Sequence, residues 1–480
     1  MNYKMIIYIL GWVLKIEAAS MLIPLICAVC YSENPEIYVW LVCILICALT
    51  GVLCSIRQPA NKTVYAREGF VSVALSWIFM SLFGALPFII SGHIPNFADA
   101  FFEIVSGFTT TGASILTDVE ALPKSLIMWR SLSHWIGGMG ILVFLMAIVP
   151  LSGGGNVHFL KAESPGPSVS KLVPKMKSTA MLLYAIYIVM TIIQIVLLLF
   201  GGLNVFETLT LSFGTAGTGG FSILNSGVAS YSPYVQYVIG IFMILFGIDF
   251  GLYYALIFRE VKIFFKSDEL KVYIGIIFTA ILLIFLNSRW LFSTVEEAFR
   301  HIFFSVSSII TTTGYATTDF NLWPEFSKVI LIILMFVGAC AGSTGGGIKI
   351  SRIIILLKSI GKEIRTSIHP RTTYKLKMNG RIIQHETVRG VNVYMAAYVM
   401  IFFGAFLLIS LDNFDFTTNF SAIAATLNNI GPGLNMVGPM GNYSAFSELS
   451  KVIMSICMLI GRLEIFPMLL LFSPYTWIKK

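Results

Sequence analysis

Long apolar stretches recur along the whole chain, at roughly 5–30, 38–56, 69–91, 127–150, 180–202, 233–258, 272–292, 326–350, 391–411 and 447–472. Each approaches or exceeds the about 20 residues that a helix needs to cross about 30 Å of hydrocarbon. Between them stand four shorter apolar segments, at 97–111, 205–218, 296–313 and 415–429. At about 15 residues they cannot span, and they suit half-helices that enter a membrane and turn back. The predicted fold class is an all-α polytopic membrane protein.

A similar tract closes each short segment. The four read Thr110-Thr111-Gly112-Ala113-Ser114, Thr218-Gly219-Gly220-Phe221-Ser222, Thr312-Thr313-Gly314-Tyr315-Ala316 and Asn429-Ile430-Gly431-Pro432-Gly433. The unit is therefore span, half-helix, glycine-centred tract, span, repeated four times. Acidic residues open the half-helices (Asp99 and Glu103, Glu207, Glu296 and Glu297, Asp415), where a helix N-terminus favours negative charge. The expected organisation is an N-terminal helix pair at 1–56, then pore repeats at 57–151, 152–258, 259–366 and 367–480. The third repeat has a broken last helix.

Composition agrees with the pattern. Of 480 residues 57% are hydrophobic and only 12% charged, against about 25% charged in a soluble domain. So few charges cannot cover a 53.1 kDa globule, which excludes a soluble enzyme, a disordered chain and a fibrous protein. The net charge of +8 reads as topology rather than affinity for nucleic acid. Lys and Arg collect in the N-terminus, loops 57–68, 152–179, 259–271 and 352–390, and the C-terminus, whereas 203–232 and 412–450 contain none. That bias predicts a multi-pass protein of the cell membrane with both termini in the cytoplasm and all four tracts on the outer side. The seven cysteines lie in apolar stretches, so no disulfide framework is expected; Cys27 and Cys30 form a CxxC, read as packing inside a span. Lys4 and the run through Cys30 lack a small-residue cleavage site, so this segment is read as a helix.

A half-helix pointing inward places its partly negative C-terminus near the bilayer centre. Four around one axis favour a cation, and glycines let the following backbone turn carbonyls toward it. Rings of carbonyl oxygens replace the hydration shell of an alkali cation in potassium channels. Any one of these glycines could be a plain turn; four in one repeated unit are harder to explain that way. No nucleophile–base or metal constellation points to an enzyme, and the six histidines are scattered.

The repeated unit, the tracts, and the stretches Gly338-Ala-Cys-Ala-Gly-Ser-Thr-Gly-Gly-Gly347 and Gly461-Arg-Leu-Glu-Ile-Phe466 resemble the TrkH/TrkG/KtrB family of potassium uptake proteins. Residues 426–434, Thr-Leu-Asn-Asn-Ile-Gly-Pro-Gly-Leu, resemble the family's fourth filter. The resemblance covers essentially the whole chain, and the helix pair at 5–56 is similar to TrkH rather than KtrB. It implies potassium uptake across the bacterial inner membrane through a selectivity filter. It also implies a homodimer, one pore per subunit, and a cytosolic nucleotide-binding regulatory ring of the TrkA kind that gates it. The transported ion is then K+, with no organic cofactor in the chain. The potassium-coordinating positions fall on Thr110, Thr111, Gly112, Thr218, Gly219, Gly220, Thr312, Thr313, Gly314, Asn429, Ile430 and Gly431. Gly219 stands where a larger residue is common, and Asn429 replaces a threonine.

The eighth span carries Gly338, Gly342, Gly345, Gly346 and Gly347 with Ser343 and Thr344, at a cost of about 1 kcal/mol per glycine in a helix interior. The Gly-Lys-Ser/Thr ending of a phosphate loop is absent. A broken helix serving as a movable barrier fits, with a flexible packing kink as the plain alternative. Arg462 lies well inside the last span, where an ionisable residue normally faces a cavity or a partner. It reads either as a charge below the filter, as in the family, or as half of a structural pair with an acid. Glu464, two residues on, points elsewhere on a helix. The basic loop 352–390 fits lipid headgroups or docking of the regulator. Channel-like conduction is the preferred reading. The alternative is symport with protons or sodium, for which Asp249 and Glu464 are the obvious mid-membrane carboxylates; Asp249 could equally cap a kink near Gly247 and Gly251.

Overall fold

The computed structural model describes residues 1–61, 64–140, 176–371 and 374–478. The end of the expected span 127–150, the expected boundary at 151 and most of loop 152–179 lie outside the described residues, as do the last two lysines.

The N-terminal pair consists of α1 (Tyr3–Ser20), which continues past Met21 into α2 (Leu22–Cys30), and α3 (Asn34–Ser55). Gly11 and Gly51 let α1 and α3 touch: a Cβ on either would lie within 3.0 Å of the other's carbonyl. Trp40 packs edge-on against Trp129, centroids 5.9 Å apart, and anchors the pair to the rest of the molecule.

The first repeated unit contains α4 (Ala66–Gly84), α5 (Leu86–Ile90), the short α6 (Phe97–Phe108) and α7 (Lys124–Gly138). The second contains α8 (Met176–Phe200), the short α9 (Val205–Ala216), α10 (Pro233–Phe246) and α11 (Phe250–Ile257). The third has α12 (Asp268–Ser288), the short α13 (Val295–Ile310), α14 (Glu325–Val337) and α15 (Ile350–Ile368), followed by a hairpin of β1 (Lys377–Met378) and β2 (Arg381–Ile382). The fourth has α16 (His385–Ile409), the short α17 (Phe416–Leu427), α18 (Glu448–Arg462) and α19 (Phe466–Phe472). The four short helices match the four short apolar segments closely. At 1.5 Å per residue a 12-residue helix is about 18 Å long, too short to cross.

Each short helix packs between the helices of its own unit. The helix after it also packs against the short helix of the next unit: α7 on α9, α10 on α13, α14 on α17, and α18 back on α6. The contacts thus close on themselves.

Six helices are long and apolar enough to cross a membrane among the described residues, or seven if α10 and α11 are one span. Of the ten expected long spans only the eighth was expected to be broken; the structure breaks it there and also breaks the second helices of the second and fourth units. The expected span 233–258 bends by 91° between α10 and α11. The expected span 326–350 stops at Val337, and 338–349 is non-helical. The last span breaks where Glu464 and Ile465 take φ 55° and 70°. Loop 352–390 is not all loop: α15 fills 350–368, so the expected boundary at 366 falls in its last turn, and the hairpin turns through Asn379 and Gly380 at φ 52° and 75°.

Candidate functional site: four helix caps and the loop against them

Each short helix begins with a side-chain cap. The side chains of Asn96, Asn204, Thr294 and Asp415 accept from the backbone N–H of Ala98, Glu207, Glu297 and Thr418, respectively. Glu207 reaches back to complete a capping box. The acidic residues expected there divide: Glu207 and Asp415 serve the caps, while Asp99 pairs with Lys451 at 2.6 Å and Glu296 with Arg300 at 2.9 Å. Glu103 lies deeper, on the buried face of α6.

The C-terminal ends repeat more strictly. Thr110, Thr218, Thr312 and Asn429 all take left-handed backbone, with φ between 55° and 57°. The next N–H, of Thr111, Gly219, Thr313 and Ile430, donates 2.8 Å to the carbonyl five residues back, on Ser106, Gly214, Ser308 and Ala425. This is a Schellman cap in fourfold copy. Three of the left-handed residues are β-branched threonines, for which that region is a true outlier costing about 1–3 kcal/mol each. Strain repeated at one position of every unit marks that position as constrained by something other than helix stability.

One residue on, Gly112, Gly220, Gly314 and Gly431 take φ of 80°, 76°, 87° and 96°. A Cβ on Gly112 would run into the carbonyl of Gly219, one on Gly220 into that of Thr313, one on Gly314 into that of Ile430, and one on Gly431 into that of Thr111, all closer than 3.0 Å. Each tract leans on the next, and the fourth returns to the first. The twelve tract residues singled out from the sequence are therefore brought into one ring. The four glycines line a single cavity, with Ser114, Arg130 and Tyr443 among its other walls.

The ring is not uniform in its supports. Thr109 and Thr111 share a hydroxyl bond at 2.8 Å, as do Thr311 and Thr313. Asn429 Nδ2 donates to Thr111 Oγ1 at 3.0 Å and to the Met458 carbonyl at 2.9 Å. Thr110 Oγ1 and Asn429 Oδ1 are buried with no hydrogen-bond partner among the described residues. The Gly431 carbonyl accepts from the Tyr443 hydroxyl at 2.7 Å. Gly219 is small because His134 occupies the space: a Cβ there would overlap the imidazole, which stacks on Phe221 at 4.3 Å.

The glycine stretch 338–349 presses against the helix-end side of the tracts. Gly346 N–H donates to Thr312 Oγ1 at 2.6 Å, and a Cβ on Gly346 would meet the Asn428 carbonyl at 2.6 Å. Its far side is tied to the bend between α10 and α11: Cys340 N–H donates to the Gly247 carbonyl at 3.1 Å, and Thr344 Oγ1 to that of Phe246 at 3.2 Å. Glu269 at the start of α12 accepts from Ala341 N–H at 2.7 Å and from Ser351 N–H at 3.0 Å, holding both the loop and the N-terminus of α15. Asp249 caps α11 through Gly251 N–H at 2.8 Å, the kink-capping role.

Three consecutive loop carbonyls accept from side-chain cations. Arg462 donates to Thr344 at 2.8 Å; Lys349, buried, donates to Gly345 and, at 3.2 Å, to Gly346. Arg462 also donates to the carbonyls of Gly137 and Gly138, at 2.5 and 2.7 Å, and so joins the loop to the end of α7. These three partners are carbonyls, on two different elements. Glu464 binds Arg352 instead, from the break that follows α18 rather than from a helical position. Gly342, Ser343, Gly345, Gly346, Gly347, Lys349 and Arg462 line a second cavity that shares no residue with the first.

Sequence reasoning missed the roles of Arg130, His134, Glu269 and Lys349, and read Glu103 as an acid at the helix N-terminus. The signal for Glu103 and Arg130 was present: a lone charge inside an apolar stretch, an argument applied only to Arg462, Asp249 and Glu464. Among the described residues no cluster of three or more His, Cys, Asp or Glu side chains could hold a metal ion.

Membrane-length helices and four capped short helices whose closing glycines line one shared cavity define a polytopic membrane protein. The chain belongs to the TrkH family of cation transport proteins, whose model matches residues 39–477. It is 34% identical to the Trk system potassium uptake protein TrkH of Escherichia coli (strain K12), over 99% of this chain and 100% of that protein. It is 31% identical to TrkG of the same organism over 99% of each. The crystal structure of the potassium transporter TrkH from Vibrio parahaemolyticus superposes with a TM-score of 0.90 at 31% identity, covering 100% of both chains.

Proposed function

We propose that this chain carries potassium into a bacterial cell, by channel-like conduction through the ring of four tracts. The observation that carries the reading is the closed set of close approaches, Gly112 to Gly219, Gly220 to Thr313, Gly314 to Ile430 and Gly431 to Thr111. Four chains converging so tightly leave backbone and hydroxyl oxygen as the lining, which suits a weakly hydrated alkali cation. Thr110, Thr111, Gly112, Thr218, Gly219, Gly220, Thr312, Thr313, Gly314, Asn429, Ile430 and Gly431 are the filter positions in this reading. The buried Thr110 oxygen, without a hydrogen-bond partner among the described residues, is available to an ion, whereas Asn429 Oδ1 lies against Gly461 of α18. The four units, with the boundaries given above, are the pore repeats around one axis.

Gly342 to Gly347 form the gate in this reading, with Arg462 holding it shut. Lys349 and Arg462 supply cationic groups to carbonyls that would otherwise attract the permeating ion, and their charge raises the barrier below the filter. Arg352, Lys358 and the other basic residues of 352–390, together with the exposed stripe Leu357, Ile360, Ile364 and Ile368 on α15, suit a cytoplasmic face that meets a second copy or a TrkA-like ring. Both termini then lie in the cytoplasm. The symport reading is weakened by the occupation of its two carboxylates, Asp249 as a helix cap and Glu464 as the partner of Arg352.

The test is ion flux into proteoliposomes under a set membrane potential. Potassium uptake that stops at the potassium equilibrium potential supports conduction. Accumulation beyond that potential, driven by a sodium or proton gradient, overturns it in favour of symport. No potassium-selective flux in either condition overturns the filter reading itself.

A further inference from the structure

Behind the first two tracts lies an ion pair that the conduction reading does not use. Glu103, on α6, and Arg130, on α7, are 0% and 2% exposed. Arg130 Nε and one terminal nitrogen both reach Glu103 Oε1 at 2.8 Å. The carboxylate also accepts from the Ser114 hydroxyl at 3.0 Å and from Ile115 N–H at 3.0 Å, which are the residues leaving the first tract. The guanidinium reaches the Ser222 carbonyl at 3.5 Å and lies 4.0 Å over the ring of Phe221, which are the residues leaving the second tract. On its other face Phe221 stacks on His134, which fills the space at Gly219. The pair therefore touches the exits of two adjacent tracts at once. The other two exits have neutral supports, Ser308 Oγ on the Tyr315 carbonyl at 2.7 Å and Ser421 Oγ on Leu434 N–H at 2.8 Å.

We infer that Glu103 and Arg130 are positioning residues for ion selectivity, setting the spacing of the first two tracts, and this rests on the filter reading above. The physical argument concerns what a buried pair is good for. Replacing one by apolar groups of similar volume is often neutral or stabilising, so stability alone is a weak reason to bury two charges there. Hydrogen bonds to charged groups are short and directional. A brace made of them fixes positions better than apolar contact does. Discrimination between two alkali cations needs such fixing, because one and the same oxygen ring must hold one ion well and the other badly. Neither residue touches the ion in this scheme; each acts through the backbone of Ser114, Ile115, Phe221 and Ser222.

The experiment compares wild type, Arg130→Lys, Glu103→Gln, the charge-free double variant E103L/R130L, and Gly314→Ser in proteoliposomes. The readouts are the potassium-to-sodium permeability ratio and the fraction of protein that elutes monodisperse. Arg130→Lys keeps the charge and most of the bulk but loses the fork that reaches both tracts. The expected result is a ratio lowered by about tenfold in Arg130→Lys and in the double variant, with potassium flux retained; a tenfold change corresponds to about 1.4 kcal/mol. An unchanged ratio in monodisperse Arg130→Lys overturns the proposal. So does loss of monodisperse protein in Arg130→Lys, which would make the pair a folding element. If Gly314→Ser lowers the ratio and Arg130→Lys does not, only this proposal fails. If neither changes it, the filter reading fails first.

Discussion

The ring of tracts and the glycine loop are adjacent, touching through Gly346 and Thr312, yet they are built on opposite principles. The tracts are held by backbone, in four copies. Each has a left-handed residue, the same 2.8 Å Schellman bond and a glycine required both by its positive φ and by the next tract's carbonyl. Moving one would break contact with the next around the whole ring. The loop exists once. It is held by Glu269, Thr312 and Arg462 from other elements and by its own Lys349, three of these four side chains charged, together with backbone bonds to the bend between α10 and α11. Removing one such side chain releases the loop locally and leaves the four helices in place. A part that must discriminate ions gains from redundancy, and a part that must open gains from having few fastenings. This division of labour is what the conduction reading requires.

The comparison is broken most severely at the ring. Replacing Gly314 by Ser places a Cβ against the Ile430 carbonyl and Pro432, at a φ of 87°. Left-handed strain of about 1–2 kcal/mol adds to overpacking of about 1–3 kcal/mol. The ring has to widen to accept it. Potassium-over-sodium discrimination should fall by roughly a hundredfold, on the scale of about 1.4 kcal/mol per decade, measured as relative permeability in monodisperse protein. Retained discrimination would mean that the ring is packing and not filter.

The next largest effect is expected at Arg462. A unit charge about 5 Å from a cation's path, at an effective dielectric of about 20, repels it by about 3 kcal/mol. Water in the cavity screens part of this, so Arg462→Ala should raise basal potassium flux by about tenfold. Arg462 also clips Thr344 to Gly137 and Gly138. Lys at this position restores charge without the fork, whereas Gln restores some hydrogen bonding without charge. Wild-type flux with Lys and raised flux with Gln assigns the barrier to charge. The reverse order assigns it to the clip. Loss of all three variants from the membrane returns Arg462 to a structural role.

How much of this was readable beforehand follows the same division. Features that repeat were legible: the four short helices at 97–108, 205–216, 295–310 and 416–427, and the glycines at 112, 220, 314 and 431. A repeat lets four weak signals reinforce one another, and hydropathy reports helices well because a membrane demands long apolar runs. Of the features present once, the glycine break in the eighth span and Arg462 stood out, but the groups that fasten the loop did not. Nothing in the local sequence distinguishes Glu269, at the head of an ordinary span, from a cap or a topology charge; its role depends on a loop more than 70 residues away. The bend of 91° between α10 and α11 was legible only as an alternative, through Asp249. The helix α15 was hidden because its lysines and arginines read as loop, although Ile350, Ile354, Leu357 and Ile364 keep a helical period.

Glu269 offers a milder way to loosen the loop. Removing its carboxylate strands the N–H groups of Ala341 and Ser351, and a hydrogen bond to a charged group is worth about 1.5–3 kcal/mol net. Water entering the second cavity replaces part of that. Glu269→Ala should therefore raise basal flux only severalfold, roughly half a decade, and leave the permeability ratio untouched. Glu269→Gln, which keeps an acceptor oxygen, should lie between. A change in the ratio would show that the loop and the ring are one mechanical unit, against the contrast drawn above.

The smallest effect is expected at the outer caps, and it asks whether the ring is as redundantly held as its geometry implies. Asn96, Asn204, Thr294 and Asp415 cap the four short helices, and only Asp415 can titrate. Bonds from the Thr418 hydroxyl and N–H, and from Asn435, hold its carboxyl below the ordinary carboxylate range. A depressed folded-state value means that the group stabilises the fold at pH above its unfolded value of about 3.9, and that the contribution fades as pH falls through the lower folded value. Asp415→Ala should cost about 1 kcal/mol at neutral pH, as lost N-caps do. Asp415→Asn should keep most of the cap and flatten the acid side of the stability curve, because Asn accepts the same N–H and does not titrate. Thermal unfolding of detergent-solubilised protein at neutral pH and near pH 3.5 reads both effects. Neither variant should alter potassium-over-sodium discrimination, since three capped helices and a closed ring still fix the tract. A lowered permeability ratio in Asp415→Ala would mean that one cap suffices to unsettle the ring, and the redundancy argued from its geometry would be wrong.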